Sequence, residues 1–152
     1  MKKLLMVCLI GLLSISRAAM AEPSSEKADI VVYRSPTCLC CGKWVRHLKD
    51  NDFNVQDIVT DSVDAVKAQH GVPGALASCH TALVGGYVIE GHVPANDIKK
   101  LLANRPQIAG IAVPGMPLGT PGMEMGGHEQ PYEVIAFDKE NHRQVFSTHG
   151  DE

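Results

Sequence analysis

Apolar and polar positions along this chain switch between two periods. Residues 29–33 (DIVVY) form a short β-branched run of the kind found in buried strands, and residues 53–59 predict a second strand. Between them, residues 41–49 place Trp44, Val45 and Leu48 on one side at helical spacing, and Asn51 and Asp52 stop the pattern. A second helix is predicted over 62–70, capped by Asp61 and ended by Gly71. Residues 81–91 (TALVGGYVIEG) read as a hairpin turning on Gly85 and Gly86. Residues 94–103 follow as a third helix with Ile98, Leu101 and Leu102 as its apolar stripe. Residues 132–137 with 144–147 make a closing β pair.

The order βαβα, hairpin, α is that of a thioredoxin-like α/β sheet. A Met/Gly/Pro-rich loop and the C-terminal β-hairpin are added to it. In such a sheet the first strand aims its C-terminal end at a helix N-terminus, where free N–H groups and the helix dipole favour thiolates.

The start of the chain reads as a secretory signal peptide. Lys2 and Lys3 precede an apolar run over 4–15, and Ala19-Met20-Ala21 offers a cleavage site before Glu22. The run is too short for a transmembrane span, which needs about 20 apolar residues. The expectation is a signal peptide over 1–21 and a single periplasmic domain over 22–152, with no membrane insertion of the mature form. Cleavage removes Lys2, Lys3 and Arg17 but no acid, so the formal charge moves from −3 to −6. An acidic balance argues against a basic patch for nucleic acid or anionic membrane.

Four cysteines remain after cleavage: Cys38, Cys40, Cys41 and Cys79. Two structural disulfides are the plain reading for an exported protein, but the spacing opposes it. A bond between neighbours Cys40 and Cys41 is strained, and Cys38 to Cys41 is the one comfortable local bond. The first three thiols fall on the strand–helix junction. Cys79 precedes the hairpin, where a thioredoxin-like layout brings it beside the same helix end. Cys38-Leu39-Cys40-Cys41 formally contains C-x-x-C, so a thiol-disulfide oxidoreductase is the alternative reading. A third thiol would divert its mixed disulfides, and Cys79-His80-Thr81 stands where thioredoxins carry a cis-proline.

A metal site accommodates all four thiols. Adjacent Cys40 and Cys41 do not readily chelate one tetrahedral zinc, whose paired ligands are usually about two to four residues apart. They can bridge soft cuprous ions, which favour thiolate and thioether donors. Residues 113–128 (VPGMPLGTPGMEMGGH) supply thioethers. Met116 and Met123 each sit in a Pro-Gly-Met frame and are better candidates than Met125, against the plain alternative that flexible Met side chains plug a core edge. His80 adjoins Cys79, and His128 would add a nitrogen donor suited to cupric ion. His47 and His70 are expected to be solvated, and His92, His142 and His149 to lie outside the site. Arg34 and Lys43 flank the thiols and could offset their charge.

Three segments, YRSPTCLCCGKWVRHL, SCHTALVGGYVIEGHVP and AVPGMPLGTPGME, together resemble the periplasmic CopG-type copper-resistance family. The likeness spans residues 29–148. It implies a thioredoxin-like fold, a multinuclear copper site on Cys38, Cys40, Cys41 and Cys79 with methionine from the 116–123 loop, and a role in tolerating excess copper. The family often has glycine between the first two cysteines; Leu39 stands there in this chain, and a loop needing positive φ would strain it. The expected function is copper binding and sequestration, with Cu(I)/Cu(II) interconversion if sulfur holds the reduced ion and imidazole the oxidised one. Binding is better supported than enzymatic turnover. Copper ions are the expected ligand, and periplasmic copper chaperones or efflux components are the kind of partner such a role calls for.

Overall fold

A computed structural model describes residues 27–127 and 129–150. The segment over 1–21 read as a signal peptide, and His128, lie outside these residues. Seven strands form one mixed sheet in the order β2-β1-β3-β4-β5-β6-β7. They are β1 (Ala28–Arg34), β2 (Phe53–Val59), β3 (His80–Val84), β4 (Tyr87–Glu90), β5 (Gly110–Ala112), β6 (Tyr132–Phe137) and β7 (Arg143–His149). The helices are α1 (Leu39–Asp50), α2 (Val63–Gln69) and α3 (Ala95–Asn104). This α/β architecture carries every strand and helix that the residue pattern predicts.

The core follows from the two periodicities. On α1, Cys41, Trp44, Val45 and Leu48 are buried, the i, i+3, i+4, i+7 stripe of an amphipathic helix. They pack with Ile30, Val32, Ala82 and Ile89 of the sheet and with Ile98 and Leu101 of α3. Val88, Ala112 and Phe137 on the strands join Leu76, from the 3-10 turn Gly74–Leu76, in a second, smaller core. Gly85 and Gly86 take φ of +56° and +90°, as the tight β3–β4 turn requires.

Three local expectations need correction. Ser62, not Asp61, is the N-cap of α2, and its N–H donates to Thr60 Oγ1 at 3.1 Å. The short strand β5 carries no recognisable pattern in three residues, yet it pairs parallel to β4 and antiparallel to β6. It therefore joins the C-terminal hairpin to the main sheet. His149 is not a free tail residue: its Nε2 lies 2.7 Å from Asp97 Oδ2, and Ser147 Oγ donates to Asp97 Oδ1 at 2.9 Å, tying β7 to α3.

Two registers position the site. Arg34 at the end of β1 lies opposite His80 at the start of β3, so the residues before β3 reach the N-terminus of α1. Thr81 lies opposite Glu90, so the residues after β4 return to the same place.

Candidate metal centre

The turn Ser35-Pro36-Thr37 leads from β1 into α1. Thr37 N–H donates to Ser35 Oγ at 3.3 Å and Cys38 N–H to Ser35 O at 3.2 Å. Cys38 becomes the N-cap of α1, with no acid in the first turn to oppose a negative sulfur. Leu39 is the first helical residue and is 85% exposed. It is absent from the positive-φ residues, so the branched side chain costs nothing there.

The sulfurs of Cys38, Cys40, Cys41 and Cys79 lie within 4.8 Å of one another. Cys38 and Cys41 are joined by a disulfide, with their α carbons 5.4 Å apart; Cys40 and Cys79 are free. Cys40 Sγ lies 3.5 Å from Cys38 Sγ and 4.0 Å from Met116 Sδ. Met116 is half-exposed at the rim, whereas Met123 is part-buried and closes a turn through its backbone, N–H to Thr120 O at 2.7 Å. Met125 is 60% exposed.

Two imidazoles complete the inner wall. His80 is fully buried, its ring centroid 4.3 Å from that of Trp44 with the planes tilted by 40°, and its Nδ1 lies 3.3 Å from Cys79 Sγ. His92, also buried, places Nε2 3.1 Å from Cys79 Sγ. The His92 ring must donate from Nδ1, because its partner at 2.7 Å is the Pro121 carbonyl, which can only accept. Burial lowers the pKa of both rings, His80 well below the usual range, so both are neutral. The Nε2 lone pair of His92 therefore faces Cys79. A donor ring held from behind by a carbonyl is the arrangement that orients metal-ligating histidines. His80 Nε2 is buried without a hydrogen-bond partner among the described residues.

His92 was expected to lie outside the site and instead forms its wall, because the hairpin register carries it back to Cys79. His47 is not simply solvated: its Nε2 accepts the Ala95 N–H at 3.1 Å and satisfies the start of α3. His142 pairs with Asp138 at 2.7 Å on an exposed turn, away from the thiols. Arg34 does not offset thiol charge, since its guanidinium makes two 2.8 Å bonds to Asp57.

Cys79 is held by a buried polar network that residue spacing does not reveal. Glu90, fully buried, accepts from Lys67 Nζ at 2.5 Å, Ser78 N–H at 2.6 Å and Thr81 Oγ1 at 2.7 Å. It thus fixes the residues on either side of Cys79 and His80. Burial, with Cys40 beside it, pushes the Cys79 thiol up to about 11. The Met loop is pressed on the other side. A Cβ at Gly122 would come within 2.9 Å of both Cys40 O and Trp44 N, so only glycine lets this loop lie on the end of α1.

An α/β domain that gathers thiols, a thioether and neutral imidazoles at one strand–helix junction has the donor chemistry of a soft-metal site. Comparison with known proteins narrows the class. A family model described as a protein of unknown function, DUF411, matches residues 76–123. Two solved structures of copper resistance protein CopG are similar to this chain. Form 2 has 42% identity and a TM-score of 0.79, covering 82% of this chain and all of that one. Form 1 has 44% identity and a TM-score of 0.77, covering 82% of this chain and 98% of that one. The chain belongs to the CopG copper-resistance protein family. No curated protein matches it. Among the described residues no helix is long and apolar enough to cross a membrane.

Proposed function

We propose that this protein is a periplasmic copper-binding protein of copper resistance, built as a single thioredoxin-like domain over residues 22–152 after removal of a signal peptide over 1–21. The observation that carries this reading is the convergence of four sulfurs within 4.8 Å, with Met116 and His92 adjoining. In the reduced protein, Cys38, Cys40, Cys41 and Cys79 would bridge several copper ions. Met116 and the neutral rings of His80 and His92 would complete the shell, with Met123 and His128 as further donors from the loop. Soft sulfur would hold Cu(I), and imidazole would let the site tolerate Cu(II). The burial of Cys79 as a neutral thiol means that metal binding there releases a proton. Copper would be exchanged with a periplasmic chaperone or an efflux component.

Anaerobic copper loading tests the proposal. More than one copper per chain is expected, with a sulfur-dominated shell in X-ray absorption at the copper edge. Cys79→Ser should lower the copper count as severely as Cys40→Ser, because each removes a bridging thiolate. A single zinc, or no retained copper, would defeat the reading.

The Cys38–Cys41 disulfide favours a second reading, a thiol-disulfide oxidoreductase. Under it, Cys40→Ala preserves disulfide reductase activity towards a protein substrate. Under the copper reading that activity stays at background in both proteins.

A further inference from the structure

The disulfide divides the four cysteines into two pairs with different surroundings. Cys38 and Cys41 are bonded, and among the described residues the neighbours of their sulfurs are Cys40 Sγ at 3.5 Å from Cys38 and the Cys79 carbonyl at 3.8 Å from Cys41, with no imidazole nitrogen. Cys40 and Cys79 are free and have auxiliary donors beside them: Met116 Sδ at 4.0 Å from Cys40, and His80 Nδ1 and His92 Nε2 at 3.3 and 3.1 Å from Cys79. Closing the bond therefore removes two sulfurs from the cluster and leaves a complete soft donor set standing. The division is enforced by the fold. Cys38 and Cys41 sit one helical turn apart with α carbons 5.4 Å apart, inside the range a disulfide accepts. Cys79 is kept in place by Glu90 through Ser78 and Thr81, and by the His92 wall.

We propose that Cys38 and Cys41 are an electron store that reduces incoming cupric ion, while Cys40, Cys79, Met116 and the two histidines keep the cuprous product. The idea rests on the copper-binding reading above and names the source of electrons for it. Two S–H bonds break and one S–S bond forms; the two electrons go one to each of two Cu(II) ions, giving two Cu(I), and two protons leave to solvent. The oxidant is the cupric substrate itself. The disulfide is returned to the dithiol by thiol–disulfide exchange with a thiol reductant. The half-buried Cys38 is the sulfur open to attack, and the fully buried Cys41 is its resolving partner.

The test starts from fully reduced, metal-free protein under anaerobic conditions. Excess copper sulfate is added, and samples are quenched in acid with a thiol-alkylating reagent. Cuprous ion is read with a chromophoric cuprous chelator, and disulfides are mapped by mass spectrometry. Two Cu(I) per chain are expected for two thiols lost, with the new bond between Cys38 and Cys41 and with Cys40 and Cys79 still alkylatable. Cys38→Ser should slow Cu(I) production at least tenfold. Cu(I) formed without thiol loss, a bond mapped to Cys40 and Cys79, or an unchanged rate in Cys38→Ser would each overturn the proposal. Supplying Cu(I) directly to the reduced wild type separates the two ideas: failure to retain it defeats copper sequestration, whereas retention with no Cu(II) reduction defeats only the electron store.

Discussion

Gly122→Ala perturbs the contact between the Met loop and the end of α1 while leaving every proposed donor side chain in place. Gly122 has φ of +89°, and the added Cβ would meet Cys40 O and Trp44 N at 2.9 Å and Lys43 Cβ at 3.3 Å. Forcing an L-residue into that backbone region costs about 1–2 kcal/mol. Overpacking against backbone, which cannot swing away as a side-chain tip can, adds about 1–3 kcal/mol. Gly126→Ala is the matched control in the same loop. Its φ is +62° and nothing lies within 4 Å of the new Cβ, so it carries the backbone strain alone. The difference between the two variants, about 1–3 kcal/mol, is the cost of lifting the loop from Cys40. At 1.4 kcal/mol per decade this weakens apparent Cu(I) affinity by about 5- to 150-fold relative to the control. Competition titration against a chromophoric cuprous chelator reads it directly. Equal affinities for Gly122→Ala and Gly126→Ala would show that Met116 and its loop take no part in holding copper.

Other outcomes follow from the buried polar groups. Lys67→Met leaves Glu90 buried with two neutral donors, and should cost about 3–5 kcal/mol in denaturant unfolding. Adding Glu90→Gln should recover part of that loss, and equal effects of the single and double variants would contradict a coupled pair. His80 titrates well below its unfolded value, so above pH about 6.5 both states are neutral and it contributes no pH dependence. As pH falls below that, the unfolded chain binds a proton that folded His80 refuses, and stability drops by up to about 1.4 kcal/mol per pH unit. Denaturant melts of metal-free protein between pH 7.5 and 5.5 should show this loss, and His80→Phe should flatten it; an identical slope in the variant would refute the assignment. His92→Ala should lower copper affinity while Cys38 and Cys41 still form their bond, which thiol mapping after copper titration checks.

The local elements were legible because each answers to a local rule. The stripe of Trp44, Val45 and Leu48, the β-branched run before Arg34 and the paired glycines at 85 and 86 specify a helix, a strand and a turn with no help from distant residues. The soft chemistry of the site was legible too, since cysteine and methionine declare their donors by type. His92 was missed, although the signal lay in the hairpin: carrying the pairing of Thr81 with Glu90 two positions outward brings Cys79 across from His92. Strand β5 was missed because three residues are too few to display a period. The Lys67–Glu90 network and the seat of Gly122 on α1 depend on segments that meet only when the sheet is assembled. Spacing already marked Cys38 to Cys41 as the one comfortable local bond, but the different surroundings of the other two thiols do depend on the assembled sheet, which sets the neutral histidines and the buried carboxylate around Cys79. Hydrophobic period and residue type act along the chain, whereas burial and donor geometry arise between segments far apart in it, which only the tertiary structure brings together.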